Sequence, residues 1–208
     1  MASPSVKLGC VLMASGHATR FGADKLLYPL NGKPLAAHVM DALPGSLFVC
    51  TAVVTRSPEI AALAKARGLA AVMNPDLTDD PAVTIRLGLG AMPPGLDGCL
   101  FAVCDQPGLR TASIEKMGAV FCAQPRCAVI LCFSGRRGSP VLFPSALFAE
   151  LSALSPRQTG RQVLQKHPQR LIFVEAQDES ELQDIDTPED LLRFTRLTRD
   201  GDTGPCRP

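Results

Sequence analysis

Apolar residues recur along this chain in short runs, at 7–14, 48–55, 69–73, 98–104, 127–133 and 170–175, each of strand length. Stretches with helical spacing separate them, at 34–43, 58–67, 81–91, 111–123, 144–153, 159–166 and 188–198. This alternation predicts a doubly wound α/β fold: a Rossmann-like three-layer α/β/α domain around a mostly parallel sheet. Pro34, Pro58, Pro81 and Pro188 stand where a first helical turn tolerates a missing N–H, and Asp80 and Thr187 precede two of them as capping residues.

The segment Ser134-Gly135-Arg136-Arg137-Gly138-Ser139-Pro140 is turn-rich, and Val141-Leu142-Phe143 returns after it as a short strand. A hairpin there contributes one antiparallel strand. Residues 199–208 lack apolar periodicity and are expected to fray. With no repeat, long linker or second core, the expected organisation is one domain over 1–198 and a flexible tail.

Composition narrows the function. The 208 residues are 46% hydrophobic and 20% charged, an ordinary globular balance that excludes a largely disordered chain. Twenty-one basic against 20 acidic side chains leave +1, so no whole-molecule field favours nucleic acid or an anionic membrane, and an anionic ligand needs a local site. No run approaches the roughly 18 apolar residues of a spanning helix. The apolar run after Lys7 soon meets Gly16, Arg20, Asp24 and Lys25, which reads as a strand rather than a secretory leader, so a cytoplasmic location is expected. Eight cysteines (10, 50, 99, 104, 122, 127, 132 and 206) form no CxxC pair and read as reduced, buried small hydrophobes.

The candidate chemistry begins where the first strand ends, in Val11-Leu12-Met13-Ala14-Ser15-Gly16-His17-Ala18-Thr19-Arg20-Phe21-Gly22-Ala23-Asp24-Lys25-Leu26-Leu27. Small residues let backbone N–H groups approach an anion, and Arg20 and Lys25 add charge-assisted donors at the carboxyl edge of the sheet. A phosphate cradle is the natural reading; a plain tight strand-to-helix connection is the bland one. The loop is neither a Walker motif nor a dinucleotide glycine pattern. His17 has no nearby acid or cysteine partner in the sequence and does not read as a general base.

The run Met13 to Leu27, followed by Leu30-Asn31-Gly32-Lys33-Pro34-Leu35 and His38, resembles the signature of molybdenum cofactor nucleotidyltransferases, closest to their cytidylyltransferase branch. The resemblance spans residues 7–195 and implies transfer of a nucleoside monophosphate from an NTP to the phosphate of molybdopterin, releasing pyrophosphate. It implies Met13, Ala14, Ser15, Gly16, Gly22 and Lys25 as nucleotide-binding residues, with Lys25 and Arg20 also neutralising the transferring and leaving phosphates. Ala18 stands where the family usually has serine, so a hydroxyl contact to phosphate falls to Thr19 or is absent.

Cys104-Asp105-Gln106-Pro107 looks like the family's Gly-Asp-Gln-Pro, whose aspartate binds Mg²⁺ beside the triphosphate; a carboxylate at a strand's carboxyl end suits that ion. Asn74-Pro75 with Thr84-Ile85-Arg86-Leu87-Gly88-Leu89 is similar to the segment that contacts the base, although Asp80-Pro81 replaces the usual glycine-methionine and Thr84 also reads as an ordinary early-helix residue. Arg136 to Phe143 resembles the hairpin that walls the molybdopterin pocket, implying Gly138, Ser139 and Pro140 as substrate-binding residues, with Ser139 a shorter side chain than the family's; a solvated basic turn is the competing reading. Gln158-Thr159-Gly160-Arg161 is a worn form of Gly-Asp-x-Gly-Ala-Arg without its acid and takes no metal role.

Asp184-Ile185-Asp186-Thr187-Pro188-Glu189-Asp190-Leu191 matches the family's Asp-Ile-Asp-Thr-Pro-Glu-Asp-Leu. Asp186 is the expected second Mg²⁺ ligand and Asp184 its reserve; helix capping by Asp186 or Thr187 is the competing reading. Serine at position 15, where the guanylyl branch typically has glycine, favours CTP as donor, with GTP the alternative. A sugar-1-phosphate nucleotidyltransferase and a noncatalytic carrier delivering molybdenum cofactor to an apo-hydroxylase are the other readings.

Overall fold

The computed structural model describes residues 6–16 and 24–200, with side chains through Thr195. Arg20 and Gly22, with His17, Ala18 and Thr19, and Cys206 in the tail, lie outside the described residues.

A seven-stranded sheet has the order β5-β4-β1-β6-β8-β7-β9. Its strands are β1 (Leu8–Ala14), β4 (Phe48–Thr55), β5 (Ala70–Met73), β6 (Gly98–Val103), β7 (Ala128–Phe133), β8 (Arg136–Pro144) and β9 (Leu171–Glu175). A separate small hairpin pairs β2 (Pro29–Leu30) with β3 (Lys33–Pro34) across Asn31 and Gly32, both at positive φ. Only β8 runs against the rest, antiparallel to β6 and to β7. The antiparallel strand expected at 141–143 is thus present and extends back to Arg136.

The described residues form seven α-helices: α1 (Leu35–Ala42), α2 (Pro58–Lys65), α3 (Pro81–Gly90), α4 (Thr111–Ala123), α5 (Phe148–Ser152), α6 (Gly160–Lys166) and α7 (Pro188–Asp200). Ser57 and Asp80 cap α2 and α3 through side-chain oxygens, with proline in the first helical turn of each. Pro34 departs from expectation: it pairs with Pro29 in the small hairpin, and α1 starts one residue later. The single helix expected at 144–153 divides into a 3₁₀ turn, Ser145–Leu147, and α5. Helix α7 reaches Asp200, past the expected end at 198, and the last eight residues of the tail lie outside the described part.

The central strands are apolar at nearly every position because both faces are covered. On one face Leu8, Cys10 and Leu12 of β1 and Leu100 and Ala102 of β6 pack with Val39 of α1, Ile60 of α2 and Ile114, Met117 and Phe121 of α4. On the other, Val11, Cys99 and Phe101 meet Ile85 of α3, Leu151 of α5 and Val163 and Leu164 of α6. Phe121 is fully buried, a contribution of about 1.5–3 kcal/mol relative to exposure.

The seven described cysteines are all free thiols. Cys10, Cys99, Cys104 and Cys132 are buried as expected, and burial pushes the Cys99 and Cys104 thiols above the ordinary range and that of Cys132 up to about 11. Cys50 and Cys127 are half-buried and Cys122 is exposed, which corrects the uniform core reading. Cys122 lies near the end of α4, and its neighbour Phe121 takes the inward position there.

The chain winds outward from β1 through β4 to β5, then returns to lay β6 on the other side of β1. That reversal makes the β1/β6 pair the switch point of the sheet, where open α/β folds form a crevice at the strands' carboxyl ends.

Candidate active site

The carboxyl ends of β1 and β6 deliver Ser15 and Asp105 side by side, because Met13 is in register with Val103. Lys25 comes from a 3₁₀ turn, Lys25–Leu27, whose start is capped by Asp24 accepting from the Leu26 N–H. Asp186 comes from the extended segment before α7. These three side chains meet: Lys25 Nζ donates to Asp105 Oδ2 at 2.8 Å and to Asp186 Oδ1 at 2.7 Å. Burial opposes the Lys25 charge, but the Asp105 and Asp186 carboxylates outweigh it and hold its ammonium above the usual lysine range.

The Asp186 side chain does not cap α7. Thr187 Oγ1 accepts from the Asp190 N–H while Asp190 Oδ2 accepts from the Thr187 and Asp186 N–H groups, so the start of α7 is capped without the Asp186 side chain. Asp184 points elsewhere: its Oδ1 accepts from Gln106 Nε2 at 2.8 Å. Burial, followed by the negative charge of Asp105, raises the Asp184 carboxyl above the usual carboxylate range.

The donor set suits a hard divalent cation. Asp105 Oδ1 is buried and has no hydrogen-bond partner among the described residues, and two carboxylates share a single ammonium. No group of three acidic, histidine or cysteine side chains among the described residues forms a cage, so the protein offers one or two carboxylates and leaves the remaining positions to phosphate and water. That is the habit of Mg²⁺ rather than of a fully protein-ligated ion.

Beside this cluster opens a cleft of about 750 Å³ whose walls include Met13, Phe101 and Val103 from β1 and β6, Ile85 from α3, and Gly138 and Ser139 from β8. Arg137 and Arg161 line it as well. It is an apolar slot with two cationic groups, and Val103 on its wall stands two residues before Asp105.

Several expected site residues take other positions. Ala14 is the buried last residue of β1, Gly16 is exposed just beyond it, and Pro140 is buried within β8. Ser15 is buried and its hydroxyl donates to the Val54 carbonyl at 3.1 Å, against the neighbouring strand. Thr84 is buried in α3, where its hydroxyl accepts from Asn74 Nδ2, and it does not line the cleft. Asp80, at the departure from the family pattern, accepts from the Ala82 and Arg157 N–H groups and so ties α3 to the loop ahead of α6.

Three contributors had no role in the sequence reading. Gln106 was visible inside its motif, yet only the fold shows its amide reaching Asp184. Thr159, Gly160 and Arg161 of the worn segment line the cleft, with Thr159 and Gln162 forming a capping box on α6. Glu181 sits in an acidic run that reads as solvated surface and is instead fully buried.

A mostly parallel sheet with a carboxylate-flanked lysine at its switch point is a Rossmann-like α/β arrangement. The chain belongs to the family of MobA-like NTP transferase domains, which matches residues 10–171. It is 28% identical over 195 residues to a molybdenum cofactor guanylyltransferase of Vibrio cholerae, covering 90% of this chain and 91% of that one. It is 27% identical over 192 residues to the purine catabolism protein PucB of Bacillus subtilis, covering 86% and 92%. A nucleotidyl transferase structure from Methanothermobacter thermautotroptrophicus superposes with a TM-score of 0.79 at 21% identity, over 94% of this chain and 99% of that one, a likeness of fold. No helix among the described residues is long and apolar enough to cross a membrane.

Proposed function

We propose that this protein transfers a nucleoside monophosphate from an NTP to the terminal phosphate of molybdopterin, with GTP as the donor. The single observation that carries the reading is the Lys25 ammonium held between Asp105 and Asp186 at the carboxyl edge of the sheet.

The acceptor phosphate is already ionised near neutral pH, so no general base is required and rate enhancement comes from positioning and charge. An oxygen of that phosphate attacks the α-phosphorus in line. The new P–O bond forms as the bond to the β-phosphate bridging oxygen breaks, and pyrophosphate leaves with both electrons of that bond. Lys25 Nζ moves its hydrogen bonds from carboxylate to phosphoryl oxygens, and Arg20 and Gly22, by their place in the motif, complete the phosphate cradle. Asp105 and Asp186 would hold Mg²⁺, which supplies Lewis-acid stabilisation of charge on the phosphoryl oxygens. Gly138 and Ser139 would border the molybdopterin, with Arg137 and Arg161 available to its phosphate.

Donor choice moves from CTP to GTP for two reasons. A full-length relative is a molybdenum cofactor guanylyltransferase. In addition, the Ser15 hydroxyl, whose bulk was the ground for expecting a pyrimidine, is turned onto Val54 and buried. Turnover with GTP and with CTP at equal concentration, with molybdopterin present, tests this assignment: a clear GTP preference is expected, and a CTP preference overturns it. Tight cofactor binding without turnover of either nucleotide would indicate a carrier, and turnover only with a sugar phosphate a different acceptor class.

A further inference from the structure

Residues 176–186 leave β9 and reach α7 with only a 3₁₀ turn, Glu179–Leu182, on the way. No strand ladder holds this strap, yet it must place Asp184 and Asp186 opposite Asp105. Side-chain ties help to set its position: Arg110 reaches Gln177 and Asp178, Gln106 reaches Asp184, and the most buried of the ties are made by Glu181.

Glu181 is 0% exposed and accepts three hydrogen bonds. Its Oε1 takes the Gln177 N–H at 2.8 Å and the Ser113 hydroxyl at 3.0 Å; its Oε2 takes the Arg110 N–H at 3.2 Å. Arg110 is the N-cap position of α4 and gives that helix no side-chain cap. Glu181 supplies one from across the fold, satisfying an N–H of the helix start and placing a carboxyl group at the positive end of the dipole.

The helix it caps begins where the Asp105 loop ends. The same loop and strap are joined at the other end by the Ile185 N–H donating to the Asp105 carbonyl at 2.9 Å. Between these ties the chains touch: a Cβ on Gly108 would sit 2.3 Å from the Ser180 carbonyl oxygen. On the strap's other side, a Cβ on Gly138 would overlap Leu182 Cδ2 at 1.8 Å. The strap is thus wedged between the Asp105 loop and the β8 hairpin, with one buried carboxyl group as its anchor.

We infer that Glu181 is a positioning residue that sets the spacing of Asp105 and Asp186, and with it the cation and phosphate site; this rests on the function proposed above for those two carboxylates. Glutamine has the same shape but an amide end, so whichever way it turns, an N–H₂ faces an N–H or hydroxyl donor and buried groups are left unsatisfied.

The test uses the full-length, nucleotide-free protein, with Mn²⁺ as the probe ion, at a temperature where every variant is folded. In Glu181→Gln, hydrogen exchange of the Ile185 amide should accelerate about tenfold relative to core amides of β1 and β6, the loss expected from one unsatisfied buried group. Mn²⁺ affinity should fall about fivefold or more, and kcat should fall with little change in KM for the NTP. Phe121→Leu, which loosens the far end of α4, serves as the comparison of equal lost stability and should move neither exchange at Ile185 nor Mn²⁺ binding. Should Glu181→Gln fail to fold, Ser113→Ala removes one of the three donors and should produce the same changes at smaller size.

A Glu181→Gln protein that melts earlier but keeps wild-type exchange at Ile185 and wild-type Mn²⁺ affinity would overturn the inference and leave Glu181 as scaffold. If wild type and Asp105→Asn bind Mn²⁺ alike, the cation reading of Asp105 fails, while exchange at Ile185 still decides whether Glu181 anchors the strap.

Discussion

Lys25 Nζ stands 2.8 Å from Asp105 Oδ2 and 2.7 Å from Asp186 Oδ1, so one ammonium fills the gap between the two carboxylates assigned to the cation. On the function proposed above, a divalent ion held by Asp105 and Asp186 would lie close to this ammonium and be repelled by it, and a bound triphosphate would offer the ammonium phosphoryl oxygens instead.

Lys25→Ala should therefore separate binding from turnover. Without the competing charge, Mn²⁺ affinity of the nucleotide-free protein should rise roughly tenfold, while turnover should fall on the order of 10²–10³ for loss of a preorganised donor to the transferring phosphate. Calorimetric Mn²⁺ titration beside steady-state rates checks both; weaker Mn²⁺ binding in the variant would contradict the shared-site account.

Asp184 gives a pH signature. Its folded carboxyl is raised above the unfolded value near 3.8, by burial first and by the Asp105 charge next. The folded protein holds that proton more tightly, so this group's effect on stability worsens as pH rises from the ordinary value through the raised one and is constant beyond it. Asp184→Asn keeps an oxygen for Gln106 and removes the titration. In urea melts without divalent ions the variant should match wild type below the ordinary carboxylate range and gain relative stability as pH climbs above it. A gain independent of pH, or a growing loss, would contradict the assignment.

The two close approaches around the strap differ in what they meet. At Gly108 the obstacle is the Ser180 backbone carbonyl, whereas at Gly138 it is the Leu182 side chain, which can turn aside. Gly108→Ala should cost more than Gly138→Ala, roughly 2–3 against 1 kcal/mol on the scale of overpacked sites. Denaturant midpoints with equal slopes measure the order; its reversal would mean the strap yields more easily than its neighbours.

Ser15 tests donor selection. Because its hydroxyl is spent on the Val54 carbonyl, Ser15→Gly should change the GTP-to-CTP ratio of kcat/KM by less than about threefold, small against what a polar group read directly by a site commands. A shift of two orders of magnitude would return Ser15 to a selective role.

Much of this protein was legible in its sequence because its central strands are buried on both faces and so announce themselves as continuous apolar runs. The capping prolines at 58, 81 and 188 fixed helix starts for the same local reason. Asp105, Lys25 and Asp186 were readable as motif residues, and the fold brings them together. Glu181 was not readable: a charged residue in an acidic run looks solvated, and its burial depends on Arg110 and Ser113, about 70 positions away. Which way Thr84 faces was not readable, because a helix residue near a motif can face either way; the contact with Asn74 turns it inward. The split of the helix after Pro144 and the hairpin at Asn31-Gly32 are local features whose signals lay beneath stronger neighbouring patterns.

The most direct measurement is a single-turnover reaction with GTP or CTP labelled at the α-phosphate, molybdopterin and Mg²⁺, comparing the wild-type protein with Asp105→Ala. The account predicts label transferred to molybdopterin from GTP, equimolar pyrophosphate, and loss of both in the variant without loss of fold. Bound molybdopterin that acquires no label from either nucleotide, or equal transfer by Asp105→Ala, would contradict it.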